Sequence, residues 1–161
     1  MSDSPNNANA YLQTKVMGAS PAELRLMLLD GAVRFAHQGL DGLRKKDFEA
    51  SFNGISQCRD IVVELMSNLR DDVAPDLCQK VRAVYTYLFT ELTESSLQKD
   101  AARLERAIEL IEYERETWVM LMKKMDTEAK ADVTTEPATN AGVHAHVQDT
   151  AHEGGSFSVS A

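Results

Sequence analysis

The sequence predicts an all-α protein: an antiparallel four-helix bundle with a short N-terminal cap helix and a disordered C-terminal tail. Three observations carry that prediction. The four prolines, Pro5, Pro21, Pro75 and Pro137, all fall outside the long periodic segments, as uninterrupted helices require. Between them, apolar residues recur every three or four positions over stretches of 20 to 25 residues. Asp30-Gly31 and Asp41-Gly42 lie within those stretches, so neither reads as a hairpin between alternating strands.

The elements follow in order. Residues 1–19 form an N-terminal segment in which Ala8 to Val16 makes the short helix, with Tyr11 and Leu12 on one side and Gly18 as the joint. Ser20-Pro21-Ala22-Glu23 opens the first bundle helix. Ser20 caps, Pro21 suits the first helical position, and Glu23 can reach back to complete a capping box. This helix should end near Leu43, with Gly42 and Arg44-Lys45-Lys46 as the stop. Asp47 caps a second helix to about Leu69 with the stripe Phe48, Phe52, Ile55, Cys58, Val62, Leu65 and Leu69. After the turn Asp71–Pro75, a third carries Leu77, Val81, Val84, Leu88 and Leu92. Asp100 caps the fourth, striped by Leu104, Ile108, Ile111, Trp118, Met122 and Met125. The bundle therefore occupies residues 20–126, with short connections between near-equal rods. From Thr127 to Ala161 there is no Leu or Ile. Such a segment cannot offset its ordering entropy, so disorder is expected.

Charge and composition exclude several functions. The formal net charge is −8 over 161 residues, which disfavours nucleic acid and anionic membrane surfaces as partners. No apolar run is long enough to span a bilayer, and the polar start Met1–Asn9 does not resemble a secretory signal. A cytoplasmic protein is expected. The two cysteines, Cys58 and Cys78, make neither a disulfide framework nor a metal motif. His37 is the only histidine before the tail, and the tail's His144, His146 and His152 lack the context of a metal site. His37 reads as half of an exposed pair with Asp41, and Glu105, Glu109, Glu112 and Glu116 as a solvated face. No catalytic residues, metal or cofactor are expected.

The first bundle helix is anomalous. Its apolar residues cover an arc of about 200°, whereas one bundle core needs only about 100–140°. Arg25 is the single long polar side chain inside the arc. Two uses of the surplus stay open: central burial of this helix, or a groove that receives a foreign helix. Leu26, Leu29 and Val33 are the candidates for the second use. On the third bundle helix, Tyr85, Tyr87 and Phe89 do not all fit the core stripe, which points the same way for Tyr85 and Phe89.

Several short motifs in order resemble the FliS family of flagellar export chaperones. Asn9-Ala10-Tyr11 is followed by Ser20-Pro21-Ala22-Glu23-Leu24 and Met27-Leu28-Leu29-Asp30-Gly31-Ala32. Then come Ile61-Val62-Val63-Glu64-Leu65, Tyr85-Thr86-Tyr87-Leu88, Leu97-Gln98-Lys99-Asp100 and Trp118. The resemblance runs from Asn9 to Met125. It implies a cytosolic helical bundle that binds the disordered C-terminal segment of flagellin, blocks premature polymerisation and keeps flagellin exportable by type III secretion. It also implies contacts with the flagellar export gate and other flagellar regulators. Ala8, Tyr11 and Leu12 match the family's movable cap. Ser20, Pro21, Glu23, Leu24, Leu28, Asp30 and Gly31 match its first-helix motif. The sequence departs from the family at Leu29 (usually Tyr), Thr86 (usually Asp), Thr90-Glu91 (usually a basic pair) and Ser95-Ser96. Two alternatives remain: a self-associating structural bundle, with a homodimer covering the surplus, or a related chaperone or regulator with another client.

Overall fold

A computed structural model describes residues 5–133 as five helices. They are α1 (Pro5–Gly18), α2 (Pro21–Lys45), α3 (Phe48–Ser67), α4 (Pro75–Gln98) and α5 (Ala101–Val133). No strand occurs among the described residues. The tail expected to be disordered falls, from residue 134 onward, outside the described residues, as do Met1–Ser4.

The predicted caps form. The Ser20 hydroxyl accepts from the Glu23 backbone N–H at 3.2 Å, and the Glu23 carboxylate accepts from the Ser20 N–H at 2.7 Å, closing the capping box. Asp47 accepts from Ala50 N–H, and Asp100 from Arg103 N–H, each at 3.0 Å. Two helix ends differ from expectation. Gly42 does not stop α2. It is buried against α3, and Lys46 ends the helix in the left-handed conformation (φ 57°). Likewise α5 does not end near Met125 but runs to Val133. Its last turns, Lys124 to Ala131, are rich in good helix formers, with Lys124 and Glu128 paired at 3.9 Å.

α2 packs on α3 and α5, and α4 packs on the same two helices, closing a four-membered ring that leaves α1 outside. Two links of two residues each, Lys46-Asp47 and Lys99-Asp100, force antiparallel neighbours. The α2/α5 seam shows the direction directly. Arg44 pairs with Glu105 at 2.6 Å, His37 with Glu112 at 2.8 Å, and Asp30 with Arg115. The Trp118 indole donates to the Ala22 carbonyl at 2.9 Å. His37 therefore pairs across helices rather than with Asp41, and Glu105 and Glu112, two of the four glutamates read as a solvated face, are interhelical partners.

Leu29, Ala32, Ala36 and Leu40 of α2 meet Ile55, Cys58, Val62 and Leu65 of α3 in the core. Tyr85, Leu88 and Leu92 of α4 and Leu104, Ile108 and Ile111 of α5 complete it. At the α2/α3 crossing, Gly39 and Gly54 let the two backbones approach. A Cβ on Gly54 would lie 2.5 Å from Gly39 N and 2.7 Å from Phe35 O. Four residues expected in core stripes are exposed instead: Phe48, Phe52, Leu77 and Met125. Phe48 lies under Lys99, the residue that caps the end of α4, and Phe52 follows one turn later on the same face of α3. Leu77 sits in the first turn of α4, and Met125 lies at the predicted end of the last helix, where α5 runs on toward Val133.

Candidate functional site

An apolar cleft of about 550 Å³ opens at the end of the bundle where α2 and α4 begin. Four helices build it. α2 contributes Pro21, Ala22, Leu24, Arg25 and Leu28; α3 contributes Leu65 from its last turn; α4 contributes Leu77, Cys78 and Val81; and α5 contributes Trp118. The loop residues Asn68, Leu69 and Arg70 complete the lining. Leu65 and Cys78 are buried at its base, whereas Leu77 stands 61% exposed at its edge. The cleft lies within the size range of ligand-anchoring pockets.

Arg25 is held at the wall. Its Nη2 donates to the Tyr85 hydroxyl at 2.5 Å, and its guanidinium lies 5.0 Å from the Trp118 ring centroid and 5.7 Å from that of Tyr85. Its place in the apolar arc is thus explained: the aliphatic stem packs while the head is satisfied by a phenol and two ring faces. Burial pushes the Tyr85 phenol up to about 12; the Glu114 carboxylate adds to this while Arg25 opposes it. The phenol therefore stays neutral at physiological pH. At the far rim, Arg70 makes two hydrogen bonds to Asp72 at 2.9 and 3.0 Å, which holds the Asp72 carboxyl below its ordinary value.

The residues expected at the partner surface separate into three groups. Ala8, Tyr11 and Leu12 lie on α1 and are exposed, Tyr11 to 68%. Leu26 and Val33 are half-buried, Val33 against the core. Leu29 and Tyr85 are each only 1% exposed, and this corrects the expectation that they meet a partner. Leu29 is enclosed in the core, and Tyr85 is the largest fully buried side chain among the described residues, with its hydroxyl satisfied by Arg25. Phe89 lies elsewhere, on the seam between α3 and α4, against Arg59.

Of the first-helix motif, Pro21, Leu24 and Leu28 line the cleft with Trp118. Asp30 is committed to Arg115, and Gly31 faces Ile61 of α3. Sequence reasoning placed Leu65, Leu69, Leu77 and Val81 in the core and missed them as cleft residues. The available signal was their position: each lies within two turns of the α3–α4 connection or in it, where a bundle core runs out of partners. Among the described residues, no cluster of His, Cys, Asp and Glu could hold a metal, and no helix is long and apolar enough to cross a membrane.

Residues 4–125 match the family model of the flagellar protein FliS. The chain belongs to the FliS family. It is 26% identical over 113 residues to the flagellar secretion chaperone FliS of Bacillus subtilis, covering 70% of this chain and 84% of that protein. It is similarly 25% identical over 118 residues to the Salmonella typhimurium flagellar secretion chaperone FliS, covering 73% and 87%. The Vibrio cholerae flagellar secretion chaperone FliS is 22% identical over 107 residues, covering 66% and 79%. The FliS match takes in α1 and reaches Met125, so cleft and α1 both lie inside the family region.

Proposed function

We propose that this flagellar secretion chaperone binds the C-terminal segment of flagellin by seating an apolar anchor of that segment in the end cleft. In doing so it withholds flagellin from polymerisation in the cytoplasm until export. The carrying observation is the cleft itself: an unfilled apolar volume of about 550 Å³ lined by Leu24, Leu28, Leu77, Val81 and Trp118. A client helix would exchange water for these side chains, and the gain would offset its ordering entropy. Family membership supports the choice of client.

α1 is the second part of the device. It ends at Gly18, and only Ala19 and Ser20 separate it from Pro21 on the cleft wall. Its Tyr11, Leu12, Val16 and Met17 are exposed. A helix tethered beside an apolar cleft with apolar groups in water is suited to close over a bound client, with Ala8, Tyr11 and Leu12 as contacts.

Trp118 is the chain's only tryptophan, so its fluorescence reports the cleft. Titration with a flagellin C-terminal peptide should shift the emission, and Leu77→Glu should abolish binding while leaving the helical content unchanged. Unaltered binding by the Leu77→Glu protein would refute the site; an absence of binding by the unsubstituted chain would refute the client.

A further inference from the structure

The α3/α4 seam carries cations over aromatic rings where the two seams of α5 carry ion pairs. Three pairs close α2/α5, and Arg103 lies 3.7 Å from both Glu91 and Glu94 across α4/α5. Between α3 and α4 themselves, no ion pair occurs among the described residues. Instead Lys99 Nζ lies 3.9 Å from the Phe48 ring centroid, and the Arg59 guanidinium 5.7 Å from that of Phe89. Arg59 Nη1 donates to the Thr93 hydroxyl at 3.3 Å, while its Nε–H has no acceptor. Neither cation has a carboxylate partner, in a chain whose net charge is −8.

Three aromatic side chains stand exposed along this seam. Phe52 is 58% exposed, and Phe48 and Phe89 are exposed as well. Phe48, Phe52 and Arg59 are spaced i, i+4 and i+11 on α3 and so share one face over about 17 Å. On α4, Thr86, Thr90 and Thr93 each donate their hydroxyl to the carbonyl four residues earlier. Their donors are thereby spent within the helix. Cations held over aromatic rings, beside exposed apolar area and without acids of their own, make a surface complementary to an apolar and negatively charged segment.

We propose that the α3/α4 seam is a second docking surface, for an amphipathic helix with apolar anchors flanked by acidic side chains. Phe52 and Phe89 take the anchors, and Lys99 and Arg59 meet the carboxylates. This site lies on the side of the bundle and shares no lining residue with the end cleft.

The test uses the full chain and two labelled helical peptides with the same apolar face, one flanked by Glu and one by Lys, followed by fluorescence anisotropy. The acidic peptide should bind, weaken with added salt, and shift the backbone resonances of Phe52, Arg59, Phe89 and Thr93. Phe52→Ala should weaken it about tenfold. Lys99→Gly should weaken it too, and since Lys99 has φ 54° this change removes the cation at a position that suits glycine. Leu77→Glu should have no effect, which separates this surface from the cleft. Equal binding of both peptides, or indifference to Phe52→Ala and Lys99→Gly, would overturn the proposal. So would a homodimer lost on Phe52→Ala, or binding to phosphatidylserine vesicles as strong as to the acidic peptide.

Discussion

Gly54→Ala is the sharpest test of how α2 and α3 meet. The added methyl would stand 2.5 Å from Gly39 N and 2.7 Å from Phe35 O, both backbone atoms of α2. No side-chain rotation can relieve such contacts, so the helices must separate. Overpacking a core typically costs about 1–3 kcal/mol, and a backbone clash belongs at the upper end. Exchanging glycine for alanine inside a helix returns about 1 kcal/mol. The net expectation is a loss of about 2 kcal/mol, or roughly 4–8 °C in Tm for a chain of this size.

Urea denaturation followed by helical circular dichroism measures it. Gly42→Ala should behave similarly, because its methyl would meet Ser51 N at 2.5 Å. The double substitution should lose less than the sum, since the first displacement already opens the interface for the second. Gly18→Ala is the control: nothing lies within 4 Å of its Cβ position. Stability of Gly54→Ala within about 0.5 kcal/mol of the parent would show that the helices do not approach through these glycines.

Tyr11→Ala should weaken client binding while changing stability by less than about 1 kcal/mol, because Tyr11 is exposed on α1; a large stability loss would make it a core residue. Glu23→Ala should reduce stability at neutral pH and flatten its acid dependence. The Ser20 N–H and hydroxyl hold the Glu23 carboxyl below its ordinary value. Its contribution is therefore full above the unfolded carboxylate range and lost as pH falls through the lowered folded value. An acid limb identical in parent and variant would refute the capping box. Burial pushes the Cys58 thiol up to about 12. At pH 8 it should resist a thiol reagent in the native state and react only on unfolding, which mass spectrometry of the labelled protein reads.

The helices were legible because their signals are local: caps at Ser20, Asp47 and Asp100, prolines at first turns, and apolar spacing between. What was not legible depends on long-range pairing. The wide apolar arc of α2 did have two uses, but the division is not by residue type. Leu28 faces the cleft and Leu29, beside it, faces the core, a difference of 100° that no propensity encodes. Tyr85 read as a surface aromatic because its partner, Arg25, lies 60 positions away. Gly42 read as a stop because a glycine near a helix end usually is one. Only the position of Ser51 on α3 gives it a packing role.

The location of the cleft follows from the connections. At one end, the two-residue links Lys46-Asp47 and Lys99-Asp100 draw α2 to α3 and α4 to α5, with each chain reversal made by a lysine in the left-handed conformation followed by a capping aspartate. At the other end α3 and α4 are joined by seven residues, 68–74, and no link ties α2 to α5. Helix ends held by long or absent links can stand apart, and the apolar first turns of α2 and α4 are then left incompletely packed. The cleft is the space that results. Unfilled apolar turns are also the less stable end of a bundle. Amide exchange should therefore be faster in the interior turns near Leu28 and Val81 than near Leu40 and Leu92, and it should slow on client binding. Equal protection at both ends before client is added would sever the connection between loop length and cleft.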